Sequence, residues 1–314
     1  MKSIVTSIAA SRLLAAVLAL VCPLVNRAAT ANDQSLTCAE MEEFLHLGKI
    51  GAQTNIPKGV TLPRRGTLEY NGMKHDAAIQ TIDVSRASYQ TNLTNELNFR
   101  DSWKYNVAGY ELAKILELNM VPPNVERSVG GHPASLSWWV DDAMMEADRK
   151  QHKLAVPDVE AWNRQMYAVR VWHQLIYDTD PNLTNLLTTK DWQLWIIDFT
   201  RAFRLYKVLR DPKDLVQCDR RLLAKLRALD RDMLREKLSR WLTKGEIDEL
   251  VRHERILHPH TVVNLPVAQV LAQHQRSIRG FGGDEDQTVP EREFVSGVKL
   301  DGGDHMKRLN GDDV

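Results

Sequence analysis

The spacing of apolar residues divides the chain into a mixed front half and a helical back half. In "LTCAEMEEFLHLGKI" (36–50), Met41, Phe44, Leu45 and Ile50 share one helical face, and Thr37 or Ser35 precedes them as an N-cap. The stretch 58–85 has β-favouring runs on both sides of Asn71-Gly72, a strong hairpin signal. "RDSWKYNVAGYELAKILEL" (100–118) is amphipathic at helical period, with Trp103, Val107, Tyr110, Leu112, Ala113, Ile115 and Leu116 on its apolar face. The segment 121–142 predicts a strand, a Gly130-Gly131 turn and a second strand ending at Trp138 and Trp139.

Beyond 142 the helical period dominates. Trp162, Met166, Val169, Trp172, Leu175 and Ile176 line one face of a helix over 158–177. "WQLWIID" (192–198) interrupts with a strand. Residues 211–257 read as successive short helices broken at Gly245, and "VNLPVAQVLAQHQRSI" adds a last one. From 279 onward glycine and charge replace any apolar period, the composition of a disordered tail. The expected fold is therefore α+β and two-lobed, with a small β-rich N-lobe carrying one main helix (32–141) and a mostly helical C-lobe (142–278).

The first 31 residues stand outside this fold. Lys2 and Arg12 precede "LLAAVLALVCPLV", and Ala29 and Ala31 occupy the small positions of an A-x-A cleavage site. That pattern predicts an exported protein, periplasmic or extracellular, with no stable membrane anchor after cleavage. Export leaves Cys38 and Cys218, which either pair in an oxidising compartment or remain two separate thiols.

Composition narrows the function by exclusion. The formal net charge is +0, which gives no electrostatic footprint for nucleic acid. The eight tryptophans sit at helix or strand spacing, as core residues do. His253, His258 and His260 fit no zinc template and read as a solvated loop. There is no G-x-S-x-G elbow.

One stretch carries candidate chemistry: "YDTDPNLTNLLTTKDWQLWIIDFTRAF" (177–203). Phosphoryl transfer needs a carboxylate to orient the attacking hydroxyl, oxygen ligands for Mg²⁺, and a cation on the phosphates. Asp180 and Asn185 have the five-residue separation of a kinase's loop aspartate and its metal-holding asparagine, and Asp198 follows a short strand. Oxygen ligands of this kind suit Mg²⁺ or Mn²⁺. The bland alternative for Asp180, Pro181 and Asn182 is an Asx turn.

"LIYDTDPNLTNLL…WIIDFTRAF", with "NVAGYELAKILELNMVPPNVER" (106–127) and "AAIQTID" (77–83), resembles the atypical kinases. That group unites the HipA-like, phosphatidylinositol kinase-like and secretory-pathway casein kinase-like enzymes. The resemblance spans roughly 58–210 and implies a nucleotide in the interlobe cleft. It makes Asp180 the residue that orients an acceptor hydroxyl on a protein or small molecule. Asn185 and Asp198 become ligands of Mg²⁺ or Mn²⁺ with ATP. Three positions depart from the pattern. The strand lysine is Gln80 and its helix glutamate partner is Asn106, phosphate-anchor positions where these two could hydrogen-bond phosphate or each other, while Pro181 replaces the loop's basic residue. Lys74, Arg64 or Arg65 then remain as substitute phosphate cations. Loss of the Lys/Glu pair also favours an alternative role, a catalytically impaired pseudokinase acting as a binding or scaffold module.

Overall fold

The computed structural model describes residues 36–56, 63–90 and 95–260. The predicted signal peptide, last helix and tail lie outside these. The chain divides after Leu36, and the fold below is that of the unit beginning at Thr37.

Helix α1 (Cys38–Leu47) begins at a capping box: Thr37 Oγ1 accepts from the Glu40 amide at 3.3 Å, and Glu40 Oε2 accepts from the Thr37 amide at 2.7 Å. Ile50 lies beyond it in strand β1 (Lys49–Asn55), so the predicted helical face ends at Leu45. Gly48 ends the helix, where Arg127 also reaches the carbonyls of Leu45 and Gly48 at 3.0 and 2.6 Å.

Strands β2 (Arg64–Tyr70) and β3 (Met73–Gln80) form the expected hairpin, with Asn71 and Gly72 at φ 49° and 77°. Two successive left-handed residues twist in the sense that antiparallel strands require, which is why Asn-Gly suits the turn. Strands β6 (Asn124–Val129) and β7 (His132–Trp138) turn at Gly130-Gly131 in the same manner. The sheet order is β1-β2-β3-β7-β6, antiparallel at every pairing.

Side chains alternate across this sheet with period two. Ile79 pairs with Leu136 on the face that packs against Phe44 and Leu45 of α1. Each such fully buried apolar side chain contributes about 1.5–3 kcal/mol. Gln80 pairs with Ser135 on the opposite face, and helix α2 (Lys104–Ile115) meets that face through Asn106, whose Nδ2 donates to Ser135 Oγ at 3.3 Å.

Between β3 and α2 runs a two-stranded ribbon, β4 (Asp83–Gln90) and β5 (Asn95–Ser102), which the apolar pattern did not announce. A second small sheet, order β10-β9-β8, joins β8 (Ala143–Met145), β9 (Leu186–Thr189) and β10 (Leu194–Ile196). Around it stand α3 (Glu146–Gln151), α4 (Val159–Leu175), α5 (Arg220–Arg227), α6 (Arg231–Leu238) and α7 (Lys244–His260).

The predicted break at Gly245 does not occur, because Gly245 sits in the first turn of α7. Thr243 and Glu246 make a second capping box there, and the real interruption is 239–243. His253 is also buried within α7, bonded to the carbonyls of Leu175 and Tyr206 at 3.1 and 2.6 Å, rather than in a solvated loop.

The larger core gathers α2, α4, β9, β10 and α5–α7 around Trp172, Phe199 and Leu226. Tyr105, Tyr110 and Leu112 of α2, with Leu116 at its C-cap, belong to this core, not to that of the sheet. Cys38 is exposed, Cys218 is buried, and both are free thiols. No helix among the described residues is long and apolar enough to cross a membrane.

Candidate active site

Helix α4 delivers the loop that carries Asp180. It starts at Asp158, whose carboxylate accepts from the Ala161 amide at 2.9 Å, and it buries Trp162, Val169, Trp172 and Leu175. The chain then turns sharply at Tyr177 (φ 43°). Asp178 pins that turn from inside. Its Oδ1 accepts from the Asp180 amide at 2.9 Å, while its Oδ2 bonds His173 Nδ1 of α4 at 2.9 Å. His173 and Asp178 are both buried, and Arg210 Nη1 donates to the Asp178 carbonyl at 3.0 Å.

Within the loop the Asx reading is true in part. Asn182 Oδ1 accepts from the amides of Thr184 and Asn185 at 2.9 and 3.2 Å, and Asn182 Nδ2 donates to Asp180 Oδ1 at 2.9 Å. Asn185 Nδ2 donates to the Asp180 carbonyl at 3.2 Å. The turn therefore holds Asp180 and Asn185 in place through hydrogen bonds to both.

Strand β10 brings Asp198 back to this loop. The Ile197 amide donates to Asn185 O at 3.0 Å, Thr179 Oγ1 to Arg201 O at 2.9 Å, and the Phe203 amide to Ile176 O at 2.6 Å. Asp198 itself takes a left-handed backbone, φ 59°, a conformation that aspartate tolerates better than most residues. Thr200 Oγ1 donates to Asp198 Oδ1 at 3.0 Å.

Burial pushes the Asp198 carboxyl up to about 6, with the Thr200 hydroxyl opposing and the charges of Asp101 and Asp180 adding to the rise. Asp180 is likewise raised, by burial first, and Asn182 opposes. Asp101, at the end of β5, is raised by burial against a hydrogen bond from Thr200 and the nearby Arg201 and Arg204. Three carboxylates thus face one another in a poorly solvated place. Sequence reasoning missed Asp101, whose role shows only when β5 meets Thr200 through the Ser102 amide at 2.8 Å.

The arrangement fits a cation. Among the described residues no three His, Cys, Asp or Glu side chains form a metal cage by themselves. Mg²⁺ is usually held by one or two carboxylates together with substrate phosphates and water. Asp198 with the amide oxygen of Asn185 would supply such an incomplete set, and a cation there would relieve the mutual repulsion.

Asn106 and Gln80, expected to meet phosphate, are engaged with the protein's own backbone and side chains. Asn106 Oδ1 accepts from the Phe199 amide at 2.7 Å while its Nδ2 reaches Ser135, so this side chain clamps the residue after Asp198 to the sheet. Phe199 packs edge-on to Trp172 and lies so close to α2 that a Cβ on Gly109 would sit 2.6 Å from its Cδ2. Gln80 is buried, and its Oε1 accepts from the amides of Thr81 and Ile82 at 3.0 and 3.3 Å.

Lys74 is not brought to this place. It lies at the opposite end of β3 from Gln80, six residues or about 20 Å away at strand rise, exposed and paired with Glu69 at 3.6 Å. Arg65 pairs with Ala78 and so shares the Gln80 face, but its guanidinium is held by Asp76 at 2.6 Å and lies over the Trp139 ring.

No protein-family model matches the sequence, and no curated protein matches it. Solved structures do match the fold. A hydra Fam20 structure with sugar aligns at TM-score 0.53 and 11% identity, covering 78% of this chain and 92% of that one. The Golgi casein kinase aligns at TM-score 0.51 and 11% identity, covering 71% and 74%. Its structure with Mn/ADP bound gives TM-score 0.51 and 12% identity over 71% and 75%. Identity this low speaks for the fold alone, and on that evidence the chain has the two-lobed fold of the atypical kinases.

Proposed function

We propose that this is an exported, atypical kinase-like protein that binds a divalent metal–nucleotide between the Gln80 face of the sheet and the Asp180–Asp198 segment. The observation that supports it is the nearness of Asp180 and Asp198, two half-buried, poorly solvated carboxylates held by separate elements and zipped together through Asn185 and Thr179. A bound metal ion would neutralise phosphate charge and orient the transferring group. Asp198 and Asn185 would hold Mg²⁺ or Mn²⁺. Asp180 would accept the hydrogen bond of an acceptor hydroxyl, on a protein or a small molecule, and so aim it. The Golgi casein kinase carries Mn/ADP in its structure, and the same ligand class is assigned here by analogy of fold.

A second reading has its own support. Asn106 spends its amide on Phe199 and Ser135, and the Gln80 carbonyl serves its own strand end, so neither offers the cation that a lysine would. A pseudokinase that binds nucleotide without turnover accommodates this. Calorimetric titration with ADP and Mn²⁺ tests the binding claim: wild type binds, and Asp198→Ala abolishes the metal-dependent part. Unchanged binding in that variant overturns the site. Phosphate release or autophosphorylation by the binding-competent protein then separates kinase from pseudokinase.

A further inference from the structure

A cavity of about 140 Å³ lies beside the segment that follows Asp198, outside the carboxylate site. The β4–β5 ribbon forms one wall with Arg86 and Arg100, Phe203, Arg204 and Leu205 form another, and Glu246 of α7 closes it. Three arginines line it against one acid. That acid is already engaged: Glu246 Oε2 accepts from the amide and hydroxyl of Thr243 at 2.6 and 2.8 Å, and its Oε1 accepts from Tyr105.

Arg204 is the unusual member. It is 3% exposed, its Nη2 is bound to Glu96, and its Nε is buried with no hydrogen-bond partner. An orphaned guanidinium N–H costs free energy comparable to a lost charged hydrogen bond, and few native structures tolerate it without a ligand or water. Arg86 and Arg100 are exposed, and among the described residues neither has a carboxylate within ion-pair distance. Arg86 rests on the Tyr89 ring at 6.0 Å. Glu96 offsets the charge of Arg204, so Arg86 and Arg100 carry the unpaired charge of this partly open space, and guanidinium forks match the oxygens of an oxyanion. The volume is below the roughly 300–1,000 Å³ of sites that take a drug-sized molecule, so a nucleotide does not suit it.

We propose that this cavity binds a phosphoryl group, borne on a peptide side chain or as free orthophosphate, and that the site is separate from the metal–nucleotide site. Its occupant would tie the ribbon to the Phe203–Leu205 segment and complete the donors of Arg204. The inference does not depend on the kinase reading, and the test keeps them apart.

The full chain is titrated with orthophosphate in EDTA at constant ionic strength, with chloride as the control, and its thermal unfolding is followed. A saturable rise in Tm beyond that of chloride is expected. Replacing a charge-assisted contact weakens binding about tenfold or more, so the Arg86→Gln/Arg100→Gln double variant loses the response, while Asp198→Asn retains it. A phosphoserine peptide that binds more tightly than orthophosphate, with its unphosphorylated form inert, identifies a peptide-borne group. Equal or weaker peptide binding identifies the free ion. No response above chloride, or an undiminished one in the double variant, overturns the proposal.

Discussion

Gly109→Ala tests the claim that α2 and the residue after Asp198 are in hard contact. By propensity alone this change in a helix stabilises by about 0.8–1 kcal/mol. The added Cβ, however, would sit 2.6 Å from Phe199 Cδ2 and 3.1 Å from Cε2, well inside normal contact. Phe199 has little room to yield, since it is 2% exposed, packs on Trp172 at 5.5 Å between ring centres, and is held at its amide by Asn106. Overpacking of this kind costs about 1–3 kcal/mol. The net expectation is a loss of about 0–2 kcal/mol, where an open site would give a gain. Urea unfolding followed by tryptophan fluorescence, at constant m, reads the difference. A Phe199→Leu background removes most of the ring, and there Gly109→Ala should regain its helical benefit, a coupling of about 1–3 kcal/mol. Equal stabilisation in both backgrounds would refute the contact and the positioning role built on it.

Asp198 should make the metal-free protein pH-sensitive. Its folded carboxyl titrates near 6 against 3.8 as the ordinary value, so the folded state holds a proton that the unfolded chain has lost. Stability therefore falls as pH rises from about 4 to about 6, by an amount on the order of 3 kcal/mol. Asp198→Asn should reduce that slope in EDTA and stabilise the protein at pH 7; an unchanged slope counts against the buried placement. Asp178→Ala strands both His173 Nδ1 and the Asp180 amide, at about 1–3 kcal/mol for each buried group left unpaired. Asp178→Asn keeps one acceptor oxygen and should lose less in the same urea measurement, so equal losses would remove Asp178 from its role in the loop.

Local chemistry was what the sequence displayed best. Asn71-Gly72 and Gly130-Gly131 announce their hairpins because the turns themselves need φ > 0. The helix α2 shows through its apolar period, although Tyr105 to Tyr110 are buried on every side and so its contact with the sheet through Asn106 left no separate mark. Asp180, Asn185 and Asp198 were legible as a group because a loop and its following strand keep them close in sequence. The β4–β5 ribbon stayed hidden for a physical reason: β4 is mostly exposed on both faces, so no period-two apolar signal exists. Asp101 and the Glu96–Arg201–Arg204 cluster join residues about a hundred positions apart, and no local pattern records such a meeting. Gly245 misled because glycine at a helix start costs little when a capping box stands beside it.

The position of α2 bears on whether the protein can be taken apart. In chain order this helix belongs with the sheet, yet its apolar side completes the larger core, and Tyr105 finds its hydroxyl partner in Glu246, on the last described helix. A fragment ending before α3 would expose Tyr105, Leu112 and Leu116 to water, and one starting after β7 would lack a wall of its own core. The two lobes are thus a description of shape and not a pair of independent folding units. Neither half could be borrowed as a stand-alone module, however natural the cut appears along the chain.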